Sequence, residues 1–281
     1  MNWFILIICS LRGVNIIFKG ESDNKAKRSK FVTIFKSILL RLFFSKVNFF
    51  LCSYKMNIEY YKYFGVSSNK LLKAPCFVDN NFYQQILKEF ECDKELINKN
   101  KNKFNFLFCG RLNKRKNPLM AIQAIEDLFK FYPNIHLYIV GDGPLKWLLN
   151  EYVKEKNLSS IITFEGFKHV KSDLCRYYFI SDALILPSLL DPSPKCLNEC
   201  MNFSTIPIVS DLVGTANDMV VHHYNGMVFK SNSLKDLKNN IKVLIENKEL
   251  KKKLSSNALK TVLYSWNLDN NIEAINYAIN S

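Results

Sequence analysis

From residue 104 onward the sequence alternates short apolar segments with segments of helical character. Apolar runs such as FNFLFCG, IHLYIVG and ALILPS are each followed by a stretch with the pattern of a helix. Parallel strands need a long crossover, which is usually a helix, so this alternation predicts an α/β fold with a doubly wound parallel sheet. Ligands of such sheets bind beyond the carboxyl ends of the strands. A functional site is therefore expected in the loops that follow those strands.

The first hundred residues alternate in a similar way but supply too few strands for a complete domain of this type. The pattern predicts strands at VNIIF, VNFFLCS and NKLLKAP, helices at residues 29–45 and MNIEYYKYFG, and a linker at CFVDNNFY. The opening MNWFILIICSLRG is too short to span a bilayer and predicts a buried helix or strand. Two helices are expected to close the chain.

A polar stretch rich in Lys and Asn over residues 92–103 predicts a boundary between two domains. We therefore divide the chain into a partial N-terminal domain, a linker, a complete C-terminal domain, and a last helix that packs back toward the N-terminal part. The corresponding ranges are 1–90, 91–103, 104–265 and 266–281.

The chain has a formal net charge of +14, with an excess of cations near its N-terminus. These cations are Lys19, Lys25, Lys27, Arg28, Lys30, Lys36, Arg41 and Lys46. They fit either a solvated basic face or attraction to an anionic membrane surface. No recognition motif accompanies them, so nucleic acid is not an expected partner. We expect a cytoplasmic protein, with peripheral attachment to the inner membrane face as an open alternative.

The eight cysteines form no CxxC pair and no cluster with zinc spacing. Cys196 and Cys200 fall on one face of a predicted helix, where packing explains them better than metal binding does. We therefore expect neither a metal nor another cofactor. Scattered thiols also fit a reducing compartment.

Two cations follow the strand at FNFLFCG. Gly110 would let the backbone approach a ligand, Arg111 can grip phosphate oxygens in a bidentate manner, and Lys116 precedes a helix that begins near Pro118. Because helix N-termini also favour anions, this loop is a candidate diphosphate site. The alternative is two surface cations in a Lys-rich loop. The later turn Gly141-Asp142-Gly143 lacks the third glycine of a dinucleotide fingerprint, and a tight turn explains it better.

Two carboxylates follow another strand, ALILPS. Asp191 lies in the loop and Glu199 in the first turns of the next helix. Carboxylates can accept hydrogen bonds from the hydroxyls of a ribose and a hexose, and backbone amides of Lys195, Cys196 and Leu197 can add donors. The alternative is ordinary helix capping. Cations at one strand end and carboxylates at another suit a nucleotide sugar.

Six segments in order resemble the C-terminal, donor-binding domain of family-4 glycosyltransferases, which have the GT-B fold. They are FCGRLNKRKNP, LYIVGDGPLKWLL, ITFEGF, DALILPS with DPSPKCLNECM, IPIVSDLVGTANDMV and YNGMVF. The resemblance covers residues from about 104 to 279. It implies a complete Rossmann-like donor domain. Residues 13–83 resemble only the last part of the family's acceptor-binding domain, so we expect a truncated N-terminal α/β domain.

The resemblance also implies roles. Arg111 and Lys116 would bind the donor diphosphate, Glu199 the ribose, and Asp191 the transferred sugar, while Gly166 and Phe167 would lie near the nucleobase. Family members transfer a hexose from a nucleotide sugar with retention and without a bound metal. This chain has Asp191 where Glu is usual, and Ser193-Pro194-Lys195 replaces an aromatic-glycine step.

We therefore expect a hexosyltransferase that uses a UDP- or GDP-sugar. The acceptor would be a glycan or lipid-linked sugar in surface polysaccharide or lipopolysaccharide synthesis. A non-catalytic nucleotide-sugar-binding remnant or scaffold subunit is the alternative, because the opening strands and the usual catalytic-region histidine of the family are not found. An NAD-dependent oxidoreductase would need a fuller phosphate fingerprint.

Overall fold

The computed structural model describes residues 3–20, 30–100 and 103–281. They form two compact units, one made of Met1–Cys76 with Leu268–Ser281 and the other of Phe77–Asn267. The division between Cys76 and Phe77 precedes the linker predicted at 91–103, and Lys94–Asn100 within that stretch form a helix. Lys25, Lys27 and Arg28 of the predicted basic cluster lie outside the described residues.

The first unit contains a three-stranded parallel sheet in the order β1-β2-β3. Its strands are β1 (Ile17–Lys19), β2 (Phe49–Cys52) and β3 (Leu71–Lys73), and its helices are α1 (Trp3–Leu11), α2 (Lys30–Ser45), α3 (Lys55–Tyr63) and α13 (Leu268–Asn280). Helix α13 packs on β2 and β3. The core is aromatic, with the Phe44 ring 5.3 Å from both Phe50 and Tyr61.

Helix α1 differs from its predicted environment. The segment is helical, but Leu6 is its buried residue, whereas Phe4 and Leu11 are 73% and 82% exposed. The sequence predicted burial from composition alone, and composition does not show which faces have a partner. Over the residues that the structure describes, no helix is both long enough and apolar enough to cross a bilayer.

The second unit contains a six-stranded parallel sheet flanked by helices. Its strands are β4 (Phe104–Cys109), β5 (Ile135–Val140), β6 (Ile162–Gly166), β7 (Ala183–Leu186), β8 (Ile206–Ser210) and β9 (Met227–Phe229). Its helices are α4 (Asn80–Glu91), α5 (Lys94–Asn100), α6 (Pro118–Phe129), α7 (Lys146–Glu155), α8 (Lys171–Ile180), α9 (Lys195–Met201), α10 (Ala216–Met219), α11 (Leu234–Glu246) and α12 (Lys248–Ser265).

The strand order is β6-β5-β4-β7-β8-β9, and every pairing is parallel. The first strand of this unit is β4, and β5 and β6 follow on one side of it. The chain then crosses back, so that β7 lies on the other side of β4. A crevice at the carboxyl ends of the strands forms at such a reversal point. The loops after β4 and β7, which carry the predicted cations and carboxylates, meet there.

Two predictions about helices are wrong. The segment CFVDNNFY was expected to be a linker, but α4 begins at Asn80 within it, and the side chain of Asp79 accepts a hydrogen bond from the Phe82 amide at 3.1 Å. The chain also closes with three helices where two were expected. Asn247 starts α12 by capping it through the Leu250 amide at 2.8 Å, and α13 follows α12 as a separate helix.

Backbone hydrogen bonds hold the loop after β4 against the Gly141–Gly143 turn, which follows β5. The Leu112 amide donates to the Asp142 carbonyl at 2.9 Å, and the Leu145 amide donates to the Leu112 carbonyl at 3.0 Å. A Cβ on Gly141 would lie 1.9 Å from the Gly110 carbonyl oxygen, and one on Gly143 would lie 2.5 Å from that of Leu112. The glycines therefore do more than close a tight turn, because any side chain would force the two loops apart.

We expect Gly141→Ala to lower the free energy of unfolding by ~3 kcal/mol, because the clash is with backbone that cannot rotate away. Gly166→Ala is the control. It has a positive φ of +69° but open space around a Cβ, so backbone strain alone should cost about 1 kcal/mol. Urea denaturation of both variants measures the difference. Equal losses would show that the loops can separate at little cost.

His136 on β5 should make stability depend on pH. Burial lowers its pKa from 6.5 to about 4. Below pH 6.5 the imidazole takes up a proton in the unfolded chain but stays neutral in the folded chain. The stability that the neutral His136 contributes is therefore fully present above pH 6.5 and is lost as the pH falls toward 4. We expect a loss of ~2 kcal/mol after allowance for solvent screening. His136→Gln should remove it, and denaturation at both ends of this range measures it. An unchanged dependence in the variant would contradict this assignment.

Candidate functional site

A cavity of about 430 Å³ opens across the carboxyl ends of β4, β5 and β6. Gly110 and Arg111 line it from the β4 loop, and Phe167 lines it from the segment after β6. These are three of the residues predicted to bind the ligand. Residues that the sequence did not single out, Lys168 and Leu174, complete this side of the wall. The cavity is large enough for part of a small organic ligand.

Gly166 and Phe167 differ in environment. Gly166 accepts a hydrogen bond from the Gly141 amide at 2.9 Å, which ties the end of β6 to the β5 loop. Phe167 is 61% exposed, and its ring packs edge-on against His169 with 4.9 Å between centroids. An exposed aromatic ring beside a cavity offers a stacking surface for a planar group.

Lys116 and Asp191 form an ion pair that joins the β4 and β7 loops. Both side chains are largely buried, with 13% and 7% of their surface exposed. The Lys116 amide is held by the Asn113 side chain at 3.0 Å, and Asn117 adopts a left-handed conformation before α6. A cation and a carboxylate predicted to hold different parts of one ligand are thus adjacent. Arg111, in contrast, is exposed in the same loop.

The backbone around Asp191 is fixed by the segment after β8. The Asp191 carbonyl accepts from the Gly214 amide at 2.8 Å, and the Pro192 carbonyl accepts from the Thr215 amide at 3.0 Å. A Cβ on Gly214 would lie 2.6 Å from the Pro192 oxygen, so this approach requires glycine. The acidic loop is therefore held at defined positions and is not a free surface loop.

Glu199 on α9 is held by two tyrosines. Its Oε1 accepts from the Tyr83 hydroxyl at 2.9 Å, and its Oε2 accepts from the Tyr178 hydroxyl at 2.8 Å. Both rings are fully buried, and 8% of Glu199 is exposed. Burial, reinforced by the negative charge of Glu199, raises the pKa of Tyr83 far above its ordinary value. Burial and the nearby carboxylate thus both keep the Tyr83 hydroxyl protonated, so it remains a hydrogen-bond donor to Glu199.

Cys109, the last residue of β4, connects Glu199 with the cation loop. Its sulfur lies 3.6 Å from the Tyr178 hydroxyl oxygen, and its carbonyl accepts from the Cys196 thiol at 3.4 Å. Gly110 and Arg111 follow directly. Glu199 and the β4 loop are thus linked by short contacts through Tyr178, Cys109 and Cys196.

The first turn of α9 places the other predicted residues. Lys195 is exposed, Cys196 is half-buried and Leu197 is buried. The Leu197 amide already donates to the Pro194 carbonyl at 3.1 Å. The sequence analysis offered this amide as a donor to a ligand, but here it is already used within the turn.

Sequence reasoning missed Tyr83 and Tyr178. Tyr83 fell in the segment taken for a linker, although apolar residues at 82, 83, 86, 87 and 90 follow helical spacing after Asp79. Tyr178 lies on α8, and its long-range contact with Glu199 leaves no local pattern in the sequence. Periodicity could have placed Tyr83 on a helix, but it could not have identified either tyrosine as a partner of Glu199.

The arrangement defines a chemical class. A cation–carboxylate pair and a cavity beside an aromatic ring lie in the loops that follow the strands of a Rossmann-like parallel sheet. Residues 89–261 match the family model of glycosyl transferases group 1. The chain belongs to that family.

Two relatives from the same class of enzyme are similar to this chain. An uncharacterised glycosyltransferase of Methanocaldococcus jannaschii is 27% identical over 215 residues, 74% of this chain and 58% of the relative. An N-acetyl-D-galactosaminyltransferase of Campylobacter jejuni, whose name specifies a PP-undecaprenol glycan, is 30% identical over 201 residues, 71% of this chain and 51% of the relative. The chain thus spans little more than half the length of these relatives.

The fold resembles that of HepE from Anabaena, solved in complex with UDP. The TM-score is 0.77 at 16% identity, over 98% of this chain and 75% of HepE. HepE has also been solved with UDP-glucose, with a TM-score of 0.73. Together with the parallel sheets, these neighbours establish an α/β fold of the GT-B type.

The Lys116–Asp191 pair leads to a test with an anion. Asp191→Asn should cost about 2 kcal/mol, because it leaves the ammonium of Lys116 largely buried without a counter-charge. Inorganic diphosphate should then raise the melting temperature more in this variant than in the native chain, since it supplies the missing charge. Thermal unfolding with and without diphosphate measures both effects.

Asp127→Asn is the matched control, because it removes a more exposed ion pair with Lys238 on another face of the same unit. We expect diphosphate to act on this variant as it does on the native chain. An equal response in all three proteins would show that Lys116 is not available to anions.

Proposed function

We propose that this glycosyltransferase binds a UDP- or GDP-sugar at the carboxyl edge of β4 and β7 and transfers its hexose. The observation that carries the proposal is the Lys116–Asp191 ion pair, which joins the acidic loop after β7 to the β4 loop whose Gly110 and Arg111 line the cavity. The bound UDP in the HepE structure supports a nucleotide donor. The PP-undecaprenol glycan in the name of the Campylobacter relative supports a glycan or lipid-linked acceptor.

Each residue would have a separate role on the donor. Arg111 and Lys116 would bind the diphosphate, with Lys116 turning from Asp191 to the phosphate oxygens. Glu199 would accept from the ribose hydroxyls, and Asp191 would position the hexose. Phe167 in the cavity wall and the neighbouring Gly166 would lie near the nucleobase, and Lys195 would add a cation near the sugar or the phosphates.

Electrostatic stabilisation would provide most of the catalysis. Charge develops on the departing diphosphate as the glycosidic bond breaks, and cations fixed beforehand stabilise that charge without reorganisation. We propose that Arg111 and Lys116 do this without a metal. The acceptor hydroxyl would attack from the face that the nucleotide leaves, which gives retention and a family-4 mechanism. A pathway of surface polysaccharide or lipopolysaccharide synthesis fits such an acceptor.

Calorimetric titration of the chain with UDP-, GDP- and ADP-sugars tests the donor site. We expect Arg111→Ala and Glu199→Ala each to weaken binding at least tenfold, because each loses a charged hydrogen bond. Lys114→Ala, which removes an exposed cation from the same loop, is the control and should bind like the native chain. Unchanged affinity in both site variants would refute the assignments.

Turnover separates the enzyme from a binding protein. Release of the nucleoside diphosphate in the presence of an acceptor glycan would support transfer. Tight donor binding without release would instead favour the non-catalytic nucleotide-sugar-binding protein.

A further inference from the structure

We propose that Tyr83 and Tyr178 are positioning residues that fix the Glu199 carboxylate for recognition of the donor's ribose hydroxyls. This inference rests on the proposed function, because it assumes that Glu199 contacts ribose. Neither tyrosine belongs to the segments that carry the family resemblance to a donor site. Tyr83 comes from the segment before the donor domain as the sequence predicted it.

The hydrogen bonds constrain both ends of the carboxylate. Tyr83 binds Oε1 at 2.9 Å and Tyr178 binds Oε2 at 2.8 Å, so rotation about the last side-chain bond would break both contacts. A carboxylate oxygen can accept more than one hydrogen bond. Each oxygen therefore keeps capacity for a ligand hydroxyl after it has accepted from its tyrosine.

Three helices hold the group in place. Tyr83 lies on α4, Tyr178 on α8 and Glu199 on α9, and α8 packs against both α4 and α9. The Tyr83 and Phe203 rings lie 6.1 Å apart at 82°, and Tyr178 also contacts Phe203 at 6.0 Å. The tyrosines are rigid donors, since their rings are packed and their hydroxyls are fully desolvated.

A purely structural explanation is available, since a buried carboxylate needs hydrogen-bond donors wherever it lies. The two explanations differ in what a lost hydroxyl does to ligand selectivity. If the tyrosines only support the fold, their loss weakens all ligands alike. If they aim the carboxylate, their loss weakens ligands with both ribose hydroxyls more than ligands that lack one.

The experiment compares UDP with 2′-deoxy-UDP and 3′-deoxy-UDP by calorimetry, with the corresponding guanosine set if GDP binds better. We expect the native chain to prefer the ribonucleotide over at least one deoxy analogue by about tenfold, as for a charged hydrogen bond. Tyr83→Phe and Tyr178→Phe should each reduce this preference to roughly threefold or less, and the double variant should nearly abolish it. Affinity for inorganic diphosphate should not change.

Tyr152→Phe is the matched control, because it removes a tyrosine–glutamate hydrogen bond to Glu126 at 2.7 Å in the same unit. It should keep the full preference. Two single variants are used so that a loss of folding in one, detected by circular dichroism, leaves the other to decide. A preserved tenfold preference in a folded single variant would overturn the positioning role.

Glu199→Ala separates the two possible failures. If this variant loses the ribose preference while the tyrosine variants keep it, the proposed function stands and the positioning role is wrong. If the native chain shows no preference, or Glu199→Ala retains it, the assignment of Glu199 to ribose is wrong and the role of the tyrosines falls with it.

Discussion

The close backbone contact between the loops after β4 and β5 is the constraint on which the candidate site depends. It needs glycine at positions 141 and 143, because the Gly110 and Leu112 carbonyl oxygens occupy the space of their side chains. The contact fixes the start of the β4 loop, where Arg111 lines the cavity, and Lys116 follows later in the same loop. A second close approach, at Gly214, fixes the acidic loop in the same way. Backbone packing thus locates the charged groups before any ligand binds.

The charged groups themselves are held in two different ways. Lys116 and Asp191 neutralise each other in a largely dehydrated environment, so a ligand anion must compete with an internal carboxylate. Glu199 is bound by neutral tyrosine hydroxyls, which support its charge without cancelling it. The first arrangement allows exchange of partners, whereas the second keeps one acceptor in a fixed orientation. In the proposed donor site, the exchangeable cation would serve the diphosphate and the fixed acceptor would serve the ribose diol.

Much of the second unit could be predicted from its sequence, because strand and helix periodicities are local and the six motifs follow in order. The α/β fold and the parallel sheet were predicted in this way, and the cations and carboxylates were assigned to segments that follow strands. The helix at Asn80 was missed because polar residues at its start resembled a linker. The partners of Glu199 were missed because contacts over 116 and 21 residues depend on packing that leaves no local pattern. The Lys116–Asp191 pair was missed because each residue was assigned to a ligand and not to the other.

We propose that one nucleotide sugar bridges the cation loop and the carboxylates of this unit. A crystal structure of the chain with UDP tests it most directly. We expect diphosphate oxygens within hydrogen-bond distance of Arg111 and Lys116, a Lys116 ammonium turned away from Asp191, and ribose hydroxyls on the Glu199 carboxylate. Nucleotide bound elsewhere, or bound in the cavity with Lys116 still paired to Asp191 and Glu199 out of reach of the ribose, would contradict it.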